Sequence, residues 1–350
     1  MGKVVLKFLF FACLIVVVLG VGRYWYFLNT PCSDSEEKIV FEVSPGVGLN
    51  LIASKLKSLD LISDIQLFKL YVYLNNGVGL LKTGEYLLSP SLTPIEVYAI
   101  LITGKSILHD ITIPEGYNIF DIASLLEQKG LGDKDEFLKL VQDKKIIYEL
   151  GLEGRSLEGY LFPSTYKFSK SVTTEKIIKT MINKFKNVFT DEFNQRAKEI
   201  GFTKHQVVIL ASMVEKETGN PIERPTIASI FHNRLKKRMR LESDPTVIYG
   251  IENFSGNLKR EDLKRLSPYN TYKIFGLPEG PIANPGLEAI RAVLWPEETE
   301  YLFFVSKNDG THVFTKNYTD HQKEVHKFQK LGKYRHGKSW RDLQKKNVLE

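Results

Sequence analysis

Six ionisable side chains crowd one apolar stretch of this chain. In Leu210–Gly250, LASMVEKETGNPIERPTIASIFHNRLKKRMRLESDPTVIYG, the residues Glu215, Glu217, Glu223, Arg224, Arg234 and Asp244 fall on or beside two apolar helical patterns. A carboxyl in such a frame suits proton transfer, because lost solvation holds its proton closer to neutral pH, as a general acid requires. Val207, Leu210, Ala211 and Val214 make one helical stripe, and Val208, Ile209 and Met213 fill most of the remaining surface. A helix capped by Thr203 and running to about Thr218 is therefore expected to be buried on nearly all sides, with Gly219 and Pro221 stopping it. Glu215 and Glu217 stand about 200° apart around its axis and cannot face one cleft. A helical side chain covers the turn before its own Cα, so Glu215 lies over Ala211 and Ser212, a small pair expected to leave room for a substrate. The competing reading is a solvated Glu-Lys-Glu cluster at a fraying helix end.

Pro225 suits the first turn of the second helix, whose apolar stripe is Ile227, Ile230, Phe231 and Leu235. Arg234 falls inside that stripe. A guanidinium there needs a carboxylate, with Asp244 and the glutamates as available partners, unless it snorkels past the rim.

The series VEKET (214–218), ERP (223–225), NRL (233–235), MRLESDPTVIYG (239–250), YNTY (269–272), GLPEGPIANPG (276–286) and YLFFV (301–305) resembles the endolytic murein transglycosylases, the YceG-like or MltG family. The resemblance runs over essentially the whole chain. It implies a lytic transglycosylase that uses no cofactor and no metal, with Glu215, the first glutamate of the VEKET run, as catalytic acid. Ser212, Glu223, Arg234, Asp244, Thr246, Tyr249, Tyr269, Asn270 and Tyr272 are then candidates for holding glycan and tuning the acid. The chain departs from the family pattern at Glu242-Ser243, where Gln-Thr is common, and at Glu279, where Pro is common; neither position is the acid.

The chemistry implied by the resemblance needs one acid. Glu215 would protonate the oxygen bridging N-acetylmuramic acid to N-acetylglucosamine in nascent glycan strands, limiting or ending their elongation. As carboxylate it would then take the proton from the muramoyl 6-hydroxyl, which closes a 1,6-anhydro ring. The intramolecular nucleophile replaces a bound water by proximity. Two rivals stay open: a non-catalytic peptidoglycan-binding membrane scaffold, and a two-carboxylate muramidase pairing Glu215 with Asp244 or Glu223.

The elements that must carry this site begin with an apolar run from Val4 to Leu28, interrupted by Lys7 and Arg23 and long enough to span a membrane. Lys3 and Lys7 place the N-terminus in the cytoplasm, Tyr24-Trp25-Tyr26 form an aromatic belt, and no A-x-A-like cleavage site follows. An uncleaved anchor over 1–30 is expected in the plasma membrane, with the rest of the chain outside the cytoplasm. Cys13 and Cys32 exclude a disulfide framework in the exported part. Of the formal charge of +7, Lys3, Lys7 and Arg23 carry three, leaving a mild excess suited to an anionic polymer or surface.

Residues 38–170 contain an internal repeat. VSPGVGLNLIASKL (43–56) aligns with IPEGYNIFDIASLL (113–126), matching Gly46 with Gly116 and Ile52-Ala53-Ser54 with Ile122-Ala123-Ser124. Each copy reads as strand, Pro–Gly turn, helices, and a Gly–Tyr strand (82–89 and 158–168), which resembles LysM-like glycan-binding modules; Tyr117 or Tyr160 could stack on sugars or sit in the core. The expected class is α+β: a transmembrane helix, duplicated LysM-like α+β units, then a mainly helical catalytic domain (171–332) with a small β-hairpin, and a basic tail (333–350). Two amphipathic helices over 173–202 lead into that domain, and a hairpin turning at Asn308-Asp309-Gly310 precedes a last helix, Tyr318–Leu331. Peptidoglycan strands and the membrane are the expected partners, with peptidoglycan synthases as a further class.

Other motifs carry no function. Gly332-x4-Gly337-Lys338-Ser339 fits a phosphate loop in letters but follows no strand. Ser164-x-x-Lys167 and Lys82-Thr83-Gly84 come in the wrong order for a penicillin-binding site. Seven histidines include no HExxH, and nothing in the chain interleaves aromatic with basic residues as nucleic-acid binding would require.

Overall fold

The computed structural model describes residues 2–251, 254, 256–331 and 334. The chain divides into two compact units, Met1–Asp110 with Lys167–Val172, and Ile111–Tyr166 with Thr173–Glu350.

The first unit opens with α1 (Gly2–Asn29), an apolar helix long enough to cross a membrane. Its side chains are exposed over most of its length, but Phe27 is buried with Phe41, Leu56, Phe68, Tyr86 and Leu101. Strand β1 (Ile39–Val43) leads through a turn to α2 (Leu49–Ser58), α3 (Ile65–Leu74), β2 (Gly84–Leu88) and α4 (Pro94–Thr103). β1 and β2 pair antiparallel with Phe41 opposite Tyr86, and alternation along β1 sends Phe41 and Val43 inward. Asp64 caps α3 through the amides of Gln66 and Leu67, and Thr93 with Glu96 forms a capping box on α4.

The same order recurs as β3 (His109–Ile113), α5 (Ile119–Gln128), α6 (Lys134–Val141), the additional α7 (Lys144–Glu149) and β4 (Ser164–Phe168), with β3 and β4 paired. The duplicated sequence yields a duplicated turn: Gly46 and Gly116 have φ of 79° and 76°, where a side chain would be strained. It also yields matching inner faces, Ile52, Ala53 and Leu56 in one copy and Ile122, Ala123 and Leu126 in the other. The expected strand at 158–168 begins only at Ser164. The unit boundary falls inside β3 and β4, so helices α5 to α7 belong to the second unit.

The rest of the second unit is mainly helical: α8 (Thr174–Val188), α9 (Asp191–Glu199), α10 (Lys204–Glu217), α11 (Arg224–Lys236), the short α12 (Asp244–Tyr249) and α13 (Leu287–Leu294). The hairpin β5 (Phe303–Ser306) and β6 (His312–Thr315) follows, and α14 (Tyr318–Val325) runs into a π-helical turn. Thr203 and Gln206 form a capping box on α10, and every residue from Val207 to Val214 is buried, as the all-round apolar pattern requires. α10 packs on α11 and α13 in a core that includes Leu210, Val214, Ile227, Phe231, Ile290 and Val293. The basic tail apart from Tyr334, and the phosphate-loop pattern at 332–339 with it, lie outside the described residues.

Candidate active site

Glu215 stands in the last turn of α10 with its side chain 5% exposed. One oxygen accepts a hydrogen bond from Arg224 Nη2 at 2.8 Å, and the other accepts the backbone N–H of Gly286 at 3.0 Å. The same Arg224 Nη2 donates to Glu115 Oε2 at 3.2 Å. Arg224 is buried at the start of α11, whereas Glu115 is half exposed on the turn after β3. Burial pushes the Glu215 carboxyl above its ordinary range; the Gly286 amide and the Arg224 charge pull it back, and the Glu115 charge pushes it up again.

Two loops close on this group. Gly116 N–H donates to Asn284 O at 3.0 Å, Asn284 N–H donates to Tyr117 O at 2.8 Å, and Lys216 Nζ donates to Gly116 O at 3.2 Å. The space expected over Ala211 and Ser212 is therefore not open. Ser212 is fully buried, donates to Ile209 O at 2.7 Å and accepts the N–H of Ile282 at 3.0 Å. Gly159, at φ 85°, fits against α10 because it has no Cβ; one would lie 2.5 Å from Val208 Cγ1 and 2.7 Å from Pro281.

Behind these loops lies a second acid. Glu158 is 1% exposed and accepts hydrogen bonds from Ile119 N–H at 3.0 Å, the Tyr249 hydroxyl at 3.0 Å and Asn284 Nδ2 at 2.9 Å. Burial pushes its carboxyl up to about 8, against the pull of its donors. The Tyr249 phenol is raised in turn, by burial first and the Glu158 charge second. Tyr269 packs its ring 5.0 Å from that of Tyr249.

The opposite side of α10 carries Glu217, which accepts the Ser243 hydroxyl at 2.5 Å and is pushed by burial up to about 7. Asp244, exposed at the start of α12, accepts the Tyr272 hydroxyl at 2.8 Å. Thr246 is buried, donating to Ser243 O at 2.6 Å and meeting the Thr271 hydroxyl at 2.9 Å. The Asn270 amide bonds the carbonyls of Asp262, Leu263 and Arg265, and its oxygen takes the N–H of Tyr272.

A family model described as the YceG-like family matches residues 41–327. The chain belongs to the YceG-like family. It is 33% identical over 330 residues to the endolytic murein transglycosylase of Bacillus subtilis, covering 89% of this chain and 91% of that one. It is 30% identical over 358 residues to the endolytic murein transglycosylase of Streptococcus pneumoniae D39, covering 92% of this chain and 64% of the relative. It also resembles the crystal structure of a YceG-like protein from Listeria monocytogenes, with a TM-score of 0.58 at 32% identity over 83% of this chain and 99% of that one.

Within this YceG-like fold the residues singled out from sequence separate into groups. Glu215 bonds Arg224 and Gly286, with Glu115 joined to it through Arg224, while Tyr249 and Tyr269 lie with the Glu158 cluster. Asp244, Thr246 and Tyr272 gather near Glu217. Glu223 is turned to the hairpin, accepting His312 N–H at 2.9 Å and meeting His312 Nδ1 at 2.7 Å. The carboxylate partner expected for Arg234 is not Asp244. Its guanidinium is satisfied chiefly by the carbonyls of Leu302 at 2.7 Å, Leu241 at 2.9 Å and Arg240 at 3.2 Å, with Glu242 at 3.4 Å and the Phe303 ring beside it. Carbonyl dipoles from a chain turn can replace a counterion when several converge on one guanidinium. Tyr160, weighed as a sugar platform, is a core residue 1% exposed. Sequence reasoning missed Glu115, Glu158 and Asn284 as site-forming residues. The available signal was the repeat itself, which puts Glu115 where the first copy has Pro45.

Proposed function

We propose that this chain is a membrane-anchored lytic transglycosylase of peptidoglycan, with Glu215 as its acid and base. The observation that carries the reading is a carboxyl almost out of solvent at a helix end, with one oxygen on a guanidinium and the other on a backbone amide. Burial favours the protonated form, which can deliver a proton to the bridging oxygen of the β-1,4 bond between N-acetylmuramic acid and N-acetylglucosamine. As that bond breaks, the carboxylate left on Glu215 is stabilised by Arg224 and the Gly286 N–H. It then accepts the proton of the muramoyl 6-hydroxyl, whose oxygen bonds to the anomeric carbon. Glu215 ends protonated and no water is consumed. The names of the Bacillus and Streptococcus relatives support murein as the substrate.

Tyr269, Tyr272 and Asp244 are proposed glycan contacts, and the 38–170 region a duplicated LysM-like glycan-binding pair ahead of the catalytic 171–332. Ser212, Glu223, Arg234, Thr246 and Asn270 bond chiefly within the protein and would shape the site from behind. An uncleaved α1 is proposed as the anchor, N-terminus inside. Burial of Phe27 in the first unit supports its retention, since cleavage near Thr30 would remove a core side chain.

One observation favours a second reading. Glu115 and Glu215 share a single nitrogen, so the two carboxylates lie a few ångströms apart, near the spacing at which a second carboxylate serves as nucleophile. That muramidase would leave free reducing ends in place of anhydro ends. Mass spectrometry of the ends released from purified peptidoglycan by the full-length protein separates the two.

A further inference from the structure

Glu115 sits on the turn that the internal repeat duplicates. In the first copy the turn reads Ser44-Pro45-Gly46, in the second Pro114-Glu115-Gly116, and the two glycines share the same left-handed backbone. The second copy therefore presents a carboxylate where the first presents a proline ring, and that carboxylate meets the buried guanidinium of Arg224.

We propose that Glu115 is a positioning residue for Glu215: by taking part of the charge of Arg224 it lets Glu215 hold the proton that the reaction requires. The inference rests on Glu215 being the acid, as proposed above. A buried guanidinium paired with Glu215 alone would be neutral with Glu215 ionised, and an ionised carboxyl has no proton to give. With Glu115 sharing the same nitrogen, the neutral state of the trio is Arg224 charged, Glu115 ionised and Glu215 protonated. Neutral clusters are favoured out of water. The proton belongs on Glu215 because its side chain is 5% exposed, whereas that of Glu115 is 47% exposed and keeps its charge solvated. Once Glu215 gives up the proton the trio carries one negative charge, which favours recovery of a proton from the sugar hydroxyl.

The groups facing Glu215 are Arg224 from α11, Glu115 from the repeat's turn, the Gly286 N–H, and the neighbouring Lys216, whose amine is drawn to Gly116 O. Gly286 serves the arrangement twice. Its amide holds Glu215, and its missing side chain makes room for Glu115, because a Cβ there would overlap the Glu115 carboxylate. Its backbone, φ −76° and ψ 173°, is open to any residue, so the requirement for glycine comes from Glu115 and not from the chain's conformation.

The test is the pH dependence of kcat/KM for release of anhydro ends from purified glycan strands by the full-length protein. A general acid makes the rate fall as pH rises through its pKa. Removing the charge of Glu115 should lower that pKa, so Glu115→Gln should move the alkaline limb down by roughly half to one pH unit. Gly286→Ala, which keeps both carboxylates but pushes Glu115 aside, should move it the same way. High salt should narrow the difference from wild type, since Glu115 is partly solvated. The position of the limb does not depend on the fraction of protein folded. A limb that stays in place in both variants while rates fall evenly, or one that moves upward, overturns the proposal. If the wild type releases free reducing ends and Glu115→Gln is dead at every pH, Glu115 is a nucleophile, and both its positioning role and the lytic reading fail while Glu215 remains the acid. If the wild type releases anhydro ends that Glu215→Gln also releases, only the choice of acid has failed.

Discussion

Asn284 Nδ2 donates to Glu158 Oε1 at 2.9 Å in the interior of the second unit, and the same amide group donates to Tyr117 O while its oxygen accepts Leu161 N–H. One side chain thus ties the 276–286 loop both to the turn that carries Glu115 and to the segment that carries Glu158. Asn284→Asp keeps the shape but loses both donations and sets a second carboxyl against Glu158. It should cost about 3 kcal/mol or more at neutral pH, measured by thermal or urea unfolding, because the introduced carboxylate is buried with only the Leu161 N–H as donor, with partial recovery on acidification as that carboxyl protonates. Unchanged stability at neutral pH would remove Asn284 from this role.

Glu217 sets a pH dependence of stability. Its carboxyl is raised by burial from 4.5 to about 7 in the folded protein, so the native state binds a proton more tightly than the unfolded chain. Stability from this group is full below about pH 4.5 and is lost as pH rises toward 7, at about 1.4 kcal/mol per pH unit for one proton. Glu158, raised to about 8, acts in the same direction. Glu217→Gln keeps an acceptor for the Ser243 hydroxyl and cannot titrate. Its melting temperature should fall less between pH 5 and pH 8 than that of wild type, and the slope should diminish without vanishing. An identical slope would show that Glu217 is ionised throughout.

Arg234 is a staple between the end of α11 and the strand-leading segment at Leu302. Arg234→Lys cannot reach Leu302 O and the carbonyls of Arg240 and Leu241 together, and should cost about 2–4 kcal/mol in unfolding. Activity per folded molecule should change little. A large fall in kcat with unchanged melting would return Arg234 to direct substrate contact.

The first unit depends on the last turn of α1. Deleting residues 1–22 should leave its melting intact, because Phe27 stays in the core. Deleting residues 1–28 removes that ring and should cost about 3–5 kcal/mol. The Arg23–Asp64 ion pair, with Arg23 largely exposed, contributes little to the difference. Equal melting of the two truncations would contradict a structural role for the last turn of α1.

The elements were legible wherever one local rule decided them. The Thr203 cap and the apolar surface of α10 gave a helix within a residue or two of the one observed, and Pro225 lies in the first turn of α11 as its type suggests. The repeat was legible because its turn and inner face recur at a fixed offset. The surroundings of Glu215 were not. Glu115 and Arg224 are 109 residues apart, Glu158 and Asn284 are 126 apart, and the loop that fills the space over Ser212 comes from 70 residues away. Helical periodicity says which way Glu215 points; it says nothing of which distant turn arrives there. For the same reason the charge pattern points Arg234 to a carboxylate or to the rim, whereas the structure sets Glu242 beside it at 3.4 Å and gives it backbone carbonyls as closer partners: a charge pattern shows ionised groups and hides peptide dipoles.

The most direct test of Glu215 as the acid is end-group analysis of purified peptidoglycan treated with wild type and with Glu215→Gln, which keeps the Gly286 contact and cannot give up a proton. The wild type should release fragments ending in 1,6-anhydro-muramoyl groups, and the variant should release them at least about a hundredfold more slowly while folding normally. Anhydro ends formed by Glu215→Gln at the wild-type rate would contradict the account and move the acid elsewhere.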